Sequence, residues 1–291
     1  MKTMNRRILP LLIVAVFAFT LTSCVKFKQK YAFMPDGSGK VEFTFGFNEK
    51  IVKETMEGMG GGMGGGGMGG GMGGGQMDDP TDIDLSDIKS NYEGFVAFTA
   101  PKTTEGADGW KLVTFTGYFD DINKVKIYDG EGEARKLQTS FTWKPKDGGG
   151  YVLEGTSAFG DDDEKPGDEM GGMADSPEMK EMVMGIMKAM LKGFEVSWAV
   201  EMPGTVSKAD GMPKFEGRCA DLKISEKEMS DLDEIKRLSE AKKFRVECGP
   251  SQLTADQIKA FKTELALAKA EWAKTTAAAA KEDAPEKEGD D

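Results

Sequence analysis

The sequence contains no histidine. This absence excludes Ser-His-Asp and Cys-His catalysis, HExxH zinc sites and most transition-metal centres. Some sites do not need histidine, such as a carboxylate pair, a lysine base or an all-oxygen metal site. None of them has a recognisable signature in this sequence. We therefore expect a protein that is not an enzyme and that has no cofactor and no metal site. A histidine-free hydrolase is the catalytic alternative.

Basic residues are in deficit, because 38 Lys and Arg stand against 50 Asp and Glu, for a net charge of −12. Nucleic-acid binding draws most of its affinity from a basic patch, so nucleic acid is not an expected partner. Long apolar runs are also scarce. The run from Ile8 to Phe19 is too short for a transmembrane helix, which needs about 20 apolar residues, and no second run follows near the C-terminus.

The N-terminus has the form of an export signal. Lys2, Arg6 and Arg7 precede the apolar run, and the small-residue exit Leu21-Thr22-Ser23-Cys24 follows it. Leu21 to Cys24 also resembles the lipobox of bacterial lipoproteins. We therefore predict a signal peptide over residues 1–23 and lipid attachment at Cys24, with an ordinary signal peptide and an incidental cysteine as the alternative.

Lipid attachment at Cys24 would place the protein in the cell envelope. Two or three acyl chains, typically palmitate, hold a protein far more firmly than one chain, since each buried methylene adds about 0.8 kcal/mol. Val25 follows the cysteine where an aspartate would favour the inner membrane, so the outer membrane is favoured in a diderm cell. Cleavage leaves 268 residues (291 − 23) and, with three positive charges removed, a net charge of −15 (−12 − 3).

Two cysteines remain after Cys24, namely Cys219 and Cys248. An even pair in an exported protein is a candidate disulfide. The alternative is two small buried thiols.

Alternating apolar and polar residues predict strands through most of the chain. Val25 to Phe33 and Val41 to Phe47 alternate on either side of Pro35-Asp36-Gly37-Ser38-Gly39, which predicts a hairpin. Further strands are predicted over 94–100, 110–119, 124–128, 137–144, 151–159, 194–202 and 244–248.

Helices are expected after two capping boxes, Ser225 with Glu228 and Thr254 with Gln257. A further helix is expected from Ser176 to about Leu191. The last helix carries one apolar seam, formed by Ile258, Phe261, Leu265, Ala268 and Trp272. Two segments have the composition of flexible inserts, the Gly/Met-rich residues 58–77 and the acidic residues 160–175.

Methionine is unusually abundant, with 19 in the chain. Some occur at intervals within the glycine run. Others, including Met179, Met182 and Met187, cluster near the helix predicted after Ser176. Thioethers suit Cu(I), but methionine is also a flexible core filler and an adaptable surface for apolar ligands. Packing, contact with a lipid and copper binding remain open.

Lys26, Lys28 and Lys30 share one face of the first strand, a few residues from Cys24. Juxtamembrane lysines gain about 1 kcal/mol each near an anionic surface, so these three are candidate membrane-surface contacts. The alternative is a solvated strand face.

The order of short motifs resembles the LppM-type bacterial lipoprotein domain. After the lipobox and Pro35 to Gly39 come Gly117-Tyr118-Phe119-Asp120-Asp121-Ile122 and Glu201-Met202-Pro203-Gly204-Thr205-Val206. The resemblance covers about residues 25 to 250. It implies an α+β domain with an apolar cavity for lipid or another amphiphile, and it brings no catalytic residues. The Gly/Met insert and the acidic end without a transmembrane helix depart from the family pattern.

We therefore expect an α+β fold with a mainly antiparallel sheet covered by helices. The organisation expected is an α+β domain over 24–250, a C-terminal helix over 251–276 and a disordered acidic tail over 277–291. The expected function is that of a non-enzymatic, membrane-anchored envelope lipoprotein that binds a lipid or another apolar ligand. A structural or assembly lipoprotein acting through protein contacts is the alternative, and the protein partner is unknown.

Overall fold

The computed structural model of the chain describes residues 25–48, 50–51, 91–129, 136–157, 191, 193–229 and 243–282. Within this part the chain forms fourteen strands: β1 Val25–Phe33, β2 Gly39–Asn48, β3 Tyr92–Glu93, β4 Phe95–Phe98, β5 Lys102–Glu105, β6 Trp110–Phe119, β7 Lys126–Asp129, β8 Lys136–Pro145, β9 Tyr151–Ser157, β10 Glu195–Glu201, β11 Val206–Asp210, β12 Lys214–Glu216, β13 Cys219–Ser225 and β14 Lys243–Cys248. The helices of the same part are α1 (Glu226–Met229) and α2 (Ala255–Glu282), with 3-10 turns at Ala107–Gly109 and Ile122–Lys124.

The strands form two sheets. Sheet A has the order β12-β13-β10-β1-β2-β6-β4, and β5 also pairs with β6. Sheet B has the order β11-β14-β9-β8-β7-β3. Every pairing is antiparallel except that of β1 with β10, which is parallel and lies in the middle of sheet A. The strand that follows Cys24 is therefore a central strand.

The predicted hairpin of β1 and β2 is confirmed. Its register runs from Val25 opposite Phe47 to Phe33 opposite Gly39, so the aromatic residues of both strands share one face. The turn is closed by a hydrogen bond from the amide of Met34 to the carbonyl of Ser38, at 2.8 Å. Gly37 has a φ of 83°, which a residue without a side chain adopts at little cost.

Aromatic rings from both sheets fill the space between them. The ring of Phe33 stacks on that of Trp143 with centroids 5.1 Å apart. Tyr31 lies 5.4 Å from Phe141, and Phe33 and Tyr31 are 1% and 0% exposed. Buried aromatic pairs of this kind add about 0.5–1.5 kcal/mol each beyond their area, so these contacts join the sheets into one core.

Helix α2 covers part of the opposite, outer face of sheet A. The predicted seam is confirmed, because Phe261, Leu265 and Ala268 are buried in a cluster with Tyr118 of β6 and Ala97 of β4. The predicted capping box is also present. The amide of Thr254 donates to Oε1 of Gln257 at 2.9 Å, and the amide of Gln257 donates to Oγ1 of Thr254 at 3.2 Å.

Polar contacts fix the position of α2 along the sheet. Oε1 of Glu264 accepts hydrogen bonds from Nζ of Lys40 at 2.6 Å and from the hydroxyl of Tyr118 at 2.8 Å. Five residues further along, Nζ of Lys269 pairs with Asp120 at 2.7 Å. The helix is thus attached to β2, to β6 and to the turn after β6.

The predicted fold class is wrong. The described part of the chain is mostly β, and the inner face of sheet A is covered by a second sheet, whereas α2 covers only part of its outer face. The strands β3, β5, β11, β12 and β13 were not predicted. Strands β11 and β12 lie between residues 206 and 216, where proline, glycine and charged residues interrupt the apolar alternation that marks a strand.

Helix α2 begins at Ala255 and reaches Glu282, so the predicted end at residue 276 and the predicted disordered tail from 277 were placed too early. The alanines at 277–280 have the highest helix propensity of any residue, which explains the extension. The predicted inserts 58–77 and 160–175 and the helix predicted from Ser176 lie outside the described residues, apart from Leu191.

We expect Gly155→Ala to destabilise the fold. A Cβ on Gly155 would lie 2.1 Å from Cε1 of Phe244, a ring that also contacts Phe141 and Trp198. Overpacking of this kind costs about 1–3 kcal/mol, which urea unfolding of the purified domain would measure. Gly249→Ala is the matched control, because its Cβ would meet nothing closer than 4.0 Å. Equal unfolding midpoints for the two variants would contradict the packing described for Phe244.

We also expect the attachment of α2 to weaken in acid. Burial would raise the pKa of Glu264, but the hydrogen bonds from Lys40 and Tyr118 outweigh it and leave the pKa lowered. A carboxyl whose pKa is lower in the folded state contributes stability above its unfolded pKa, about 4.3, and loses it as the pH falls through the folded value.

The measurement is urea unfolding of the wild type and of Glu264→Gln at pH 7 and at pH 3. The wild type should have a higher free energy of unfolding than Glu264→Gln at pH 7, and this difference in free energy should shrink at pH 3. Glu216→Gln, on the exposed strand β12, controls for the loss of one surface carboxylate. A difference that is the same at both pH values would contradict the role given to Glu264.

Candidate functional site

The inner face of sheet A is built of cross-strand rows, since directly opposed residues point to the same side of a sheet. The row nearest the start of β1, here called the open row, consists of Ile224, Val196, Phe27 and Phe45. The next row, the middle row, consists of Leu222, Trp198, Gln29 and Phe43. The third, the central row, consists of Ala220, Val200, Tyr31 and Val41.

Burial decreases along these rows toward the start of β1. The central row is almost completely buried, with exposures of 0% for Tyr31 and Val41 and 1% for Val200. All four members of the open row are only partly buried. The open row is therefore an apolar strip that the rest of the chain covers incompletely.

The ring contacts between the sheets follow this gradient. Phe244 of β14 packs against Trp198 of the middle row with ring centroids 4.8 Å apart, and Phe141 of β8 lies 5.4 Å from Tyr31 of the central row. Among the described residues, the rings of Phe27 and Phe45 in the open row contact only rings of sheet A, namely each other and Phe115.

Polar groups of the middle and central rows lie near the apolar strip. The hydroxyl of Tyr31 donates to Oε1 of Gln29 at 3.1 Å, and burial raises the pKa of Tyr31 well above its ordinary value. The indole Nε1 of Trp198 is buried beside the hydroxyl of Tyr31, and no hydrogen bond of ordinary geometry satisfies it within the described part of the chain. A buried donor without a partner costs about 1–3 kcal/mol, so an oxygen acceptor placed there would be stabilising.

This arrangement can bind an apolar chain, but it holds no pair of groups suited to acid–base or nucleophilic chemistry. The side chains around the open row are hydrocarbon and aromatic, and the polar neighbours are an amide, a phenol and an indole. In the described ranges, no group of three or more Cys, Asp or Glu side chains is placed to hold a metal ion.

The three candidate membrane-contact lysines lie on the outer face of sheet A, on the side opposite the open row. Lys28 pairs with Glu195 at 2.9 Å, and Lys30 pairs with Glu201 at 3.4 Å. Nζ of Lys26 lies 3.9 Å from the ring centroid of Trp110, a cation–π contact. These partners come from β6 and β10, so the lysines take part in lateral contacts across the sheet.

Each of the two glutamates on β10 is shared by a second cation. Glu195 also pairs with Lys223 at 3.0 Å, and Glu201 also pairs with Arg218 at 3.0 Å. Burial would raise the pKa of Glu195, but the hydrogen bonds from Lys28 and Lys223 leave it lowered. This half-exposed outer face has the chemistry of a solvated ionic surface, and its ion pairs contribute little to stability individually.

The candidate disulfide is not formed in the structure, where both thiols are free. Cys219 begins β13 opposite Glu201 and is exposed, whereas Cys248 ends β14 and is 1% exposed within the core. The two residues belong to different sheets, and one is exposed while the other is buried. Burial raises the pKa of both thiols, which disfavours the reactive thiolate.

Other predicted site residues lie beyond the described ranges. Cys24 directly precedes the first described residue, and the methionines considered for Cu(I) belong to segments that the structure does not describe. None of the helices described has both the length and the apolar character needed to cross a bilayer.

Strand β13, which supplies Ile224 to the open row and Leu222 to the middle row, was not predicted. A signal was present, because Ala220, Leu222 and Ile224 alternate with Asp221, Lys223 and Ser225. Strand β13 ends at Ser225, the first residue of the capping box that begins α1.

Comparisons with known proteins identify no family for the chain. No protein-family model matches it, and no curated protein does. Among solved structures, it is similar to the NMR structure of the folded domain of the LppM protein of Mycobacterium tuberculosis. The identity is 10% and the TM-score is 0.31, with 81% of this chain and 94% of the LppM domain covered. A likeness this distant carries no argument about function.

Proposed function

We propose that the protein is a non-enzymatic envelope lipoprotein whose β domain, tethered through Cys24, binds an apolar ligand along the open row. The observation that carries this proposal is a partly buried apolar strip on the strand that directly follows Cys24. Phe27, a member of that strip, is three residues from Cys24, a distance of about 10 Å along an extended chain. A lipid tethered or dissolved in the same membrane would thus lie close to the strip.

The ligand that fits these residues is an amphiphile with a long hydrocarbon chain. The open row offers Ile224, Val196, Phe27 and Phe45 to that chain. The unpartnered indole Nε1 of Trp198, one row away, would suit a carbonyl or hydroxyl oxygen of the same molecule. Pockets for such ligands are commonly apolar with a few polar groups that set orientation.

A structural or assembly role through protein contacts is the second candidate. The filled interior favours it, because stacked rings such as Phe33 on Trp143 occupy the space between the sheets and the central row is nearly inaccessible. A domain filled in this way would act through its surface. Co-purification of a stoichiometric envelope protein, without any amphiphile, would favour this candidate.

We expect Ile224→Lys to weaken ligand binding. The charge would lie in the open row, where a hydrocarbon chain could no longer bury the neighbouring apolar surface, and affinity should fall about tenfold or more. The probe is a fluorescent hexadecanoic acid titrated into the purified domain. Native mass spectrometry of the wild type would show in parallel whether an amphiphile co-purifies.

Leu267→Lys is the matched control, because Leu267 lies on α2 and is 61% exposed, far from the open row in the fold. It should bind the probe like the wild type. Thermal unfolding would verify that both variants are folded. Equal probe affinity for the wild type and Ile224→Lys, or no binding by any of the three proteins, would rule out the open row as the ligand site.

We expect Cys24→Ser to release the protein from membranes without unfolding it. Serine lacks the thiol that accepts the lipid, and loss of the acyl chains removes most of the membrane affinity. Membrane fractionation and metabolic labelling with a palmitate analogue would check this. Lys28→Gln, which keeps Cys24, should stay membrane-bound. A serine variant that still fractionates with membranes would contradict the proposed anchor.

A further inference from the structure

The outer face of sheet B is polar and lies on the side of that sheet away from the core. Phe141 and Phe244 point inward, where their ring centroids are 6.3 Å apart. Since side chains alternate along a strand, the neighbouring Ser140, Thr142 and Arg245 point outward. This face is therefore separate from the open row, which belongs to the inner face of sheet A.

Two cross-strand rows cross the outer face of sheet B. The first, here called the basic row, consists of Lys126, Ser140, Thr156 and Lys243. The second, the mixed row, consists of Thr142, Glu154, Arg245 and Asp210. Each row crosses four strands, and three strand spacings amount to about 14 Å.

A groove of about 410 Å³ lies between the basic row and the mixed row. Its walls are formed by side chains of both rows, namely Ser140, Thr142, Glu154, Thr156, Asp210, Lys243 and Arg245. Gly155 and Phe244 also line the groove, and because the ring of Phe244 points into the core, they contribute backbone to its floor. The groove thus has polar walls and no exposed aromatic ring among its lining residues.

Cations outnumber carboxylates on this face of the protein. A third row, beside the mixed row, consists of Lys208, Glu247, Val152 and Lys144. The three rows together hold five Lys and Arg side chains and three Asp and Glu side chains. The whole chain, in contrast, has a net charge of −12. The outer face of sheet B is therefore a basic surface on an acidic protein, and it attracts anionic ligands.

The carboxylates that line the groove are already paired with cations. Glu154 pairs with Lys144 at 3.3 Å and also with Arg245. Asp210 pairs with Lys208 at 2.7 Å. An ionised carboxylate has about four lone-pair sites, so each of the two can still accept a hydrogen bond from a ligand hydroxyl.

Lys243 differs from the other cations of the groove. It forms no ion pair within the described part of the chain. It lies opposite Thr156, whose Oγ1 is 2.8 Å from Oγ of Ser140. An ammonium group beside two hydroxyls can bind an acid group through charge-assisted hydrogen bonds.

We infer that this groove binds an anionic polysaccharide. Acid groups of the polymer contact Lys243, and its sugar hydroxyls exchange hydrogen bonds with Ser140, Thr156 and the paired carboxylates. An acidic polypeptide would satisfy the cations but would offer few hydroxyls to the rest of the groove. Because the groove and the open row lie on different sheets, this binding does not depend on the anchor or on the apolar ligand.

Titration calorimetry of the purified mature chain tests the inference with two matched polymers. Carboxymethyl dextran should bind, whereas uncharged dextran should not. Binding should weaken strongly at about 1 M salt, where the screening length falls to about 3 Å. No binding of carboxymethyl dextran, or equal binding of the two polymers, would overturn the site.

Two variants connect the binding to the groove. Lys243→Glu should weaken carboxymethyl dextran about tenfold, and Thr156→Val, which removes one hydroxyl, about threefold. Lys259→Glu makes the same charge change at an exposed position of α2 and should bind like the wild type. Thermal unfolding would verify that all three variants are folded. Equal losses in Lys243→Glu and Lys259→Glu would show an effect of net charge alone and would overturn the site.

Two other polyanionic probes test the class of ligand. Polyglutamate should bind more weakly than carboxymethyl dextran, and Thr156→Val should not change its affinity, because it has no sugar hydroxyls to lose a partner. Binding of polyglutamate or of phosphatidylglycerol vesicles as tight as that of carboxymethyl dextran would overturn the assignment to a polysaccharide.

Discussion

The burial of the aromatic inner face of sheet A by sheet B is the constraint on which the rest of the structure depends. Phe33 and Tyr31 can be buried only because Trp143 and Phe141 lie opposite them. Among the described residues, Phe27 and Phe45 of the open row have ring partners only on sheet A, and this row is only partly buried. A stable core and an incompletely covered apolar strip thus both follow from where sheet B places its aromatic rings.

The outer face of sheet A has two parts, one covered by a helix and one lined by ion pairs. Helix α2 covers the part formed by β4 and β6 and is fixed by Glu264, whereas the part formed by β1 and β10 carries lysine–glutamate pairs. The paired lysines make the outer side of β1 ionic, whereas its inner side is apolar. Strand β1 therefore has an ionic outer face, formed by Lys26, Lys28 and Lys30, and an apolar inner face.

Local signals predicted the local structure well. Alternation identified β1, β2 and β6, and the Thr254–Gln257 box placed the start of α2, because each depends on residues close in sequence. Pairing between distant strands could not be derived in this way. The partner of Lys28 is Glu195, on a strand about 170 residues away in the chain, and only the parallel pairing of β1 with β10 brings them together. The expectation of covering helices failed for the same reason, since the sheet that covers β1 is assembled from strands that follow much later.

A partly covered strip gives modest affinity by itself, because only the apolar area removed from water contributes and ordering the ligand opposes binding. Tethering at Cys24 changes this balance in the proposed function. The anchor would hold the open row within a few residues of a bilayer, where the local concentration of acyl chains far exceeds that in solution, and proximity raises occupancy without any new contact. A site that is weak and close to its ligand would exchange lipids rapidly, whereas a deep enclosed cavity would retain them.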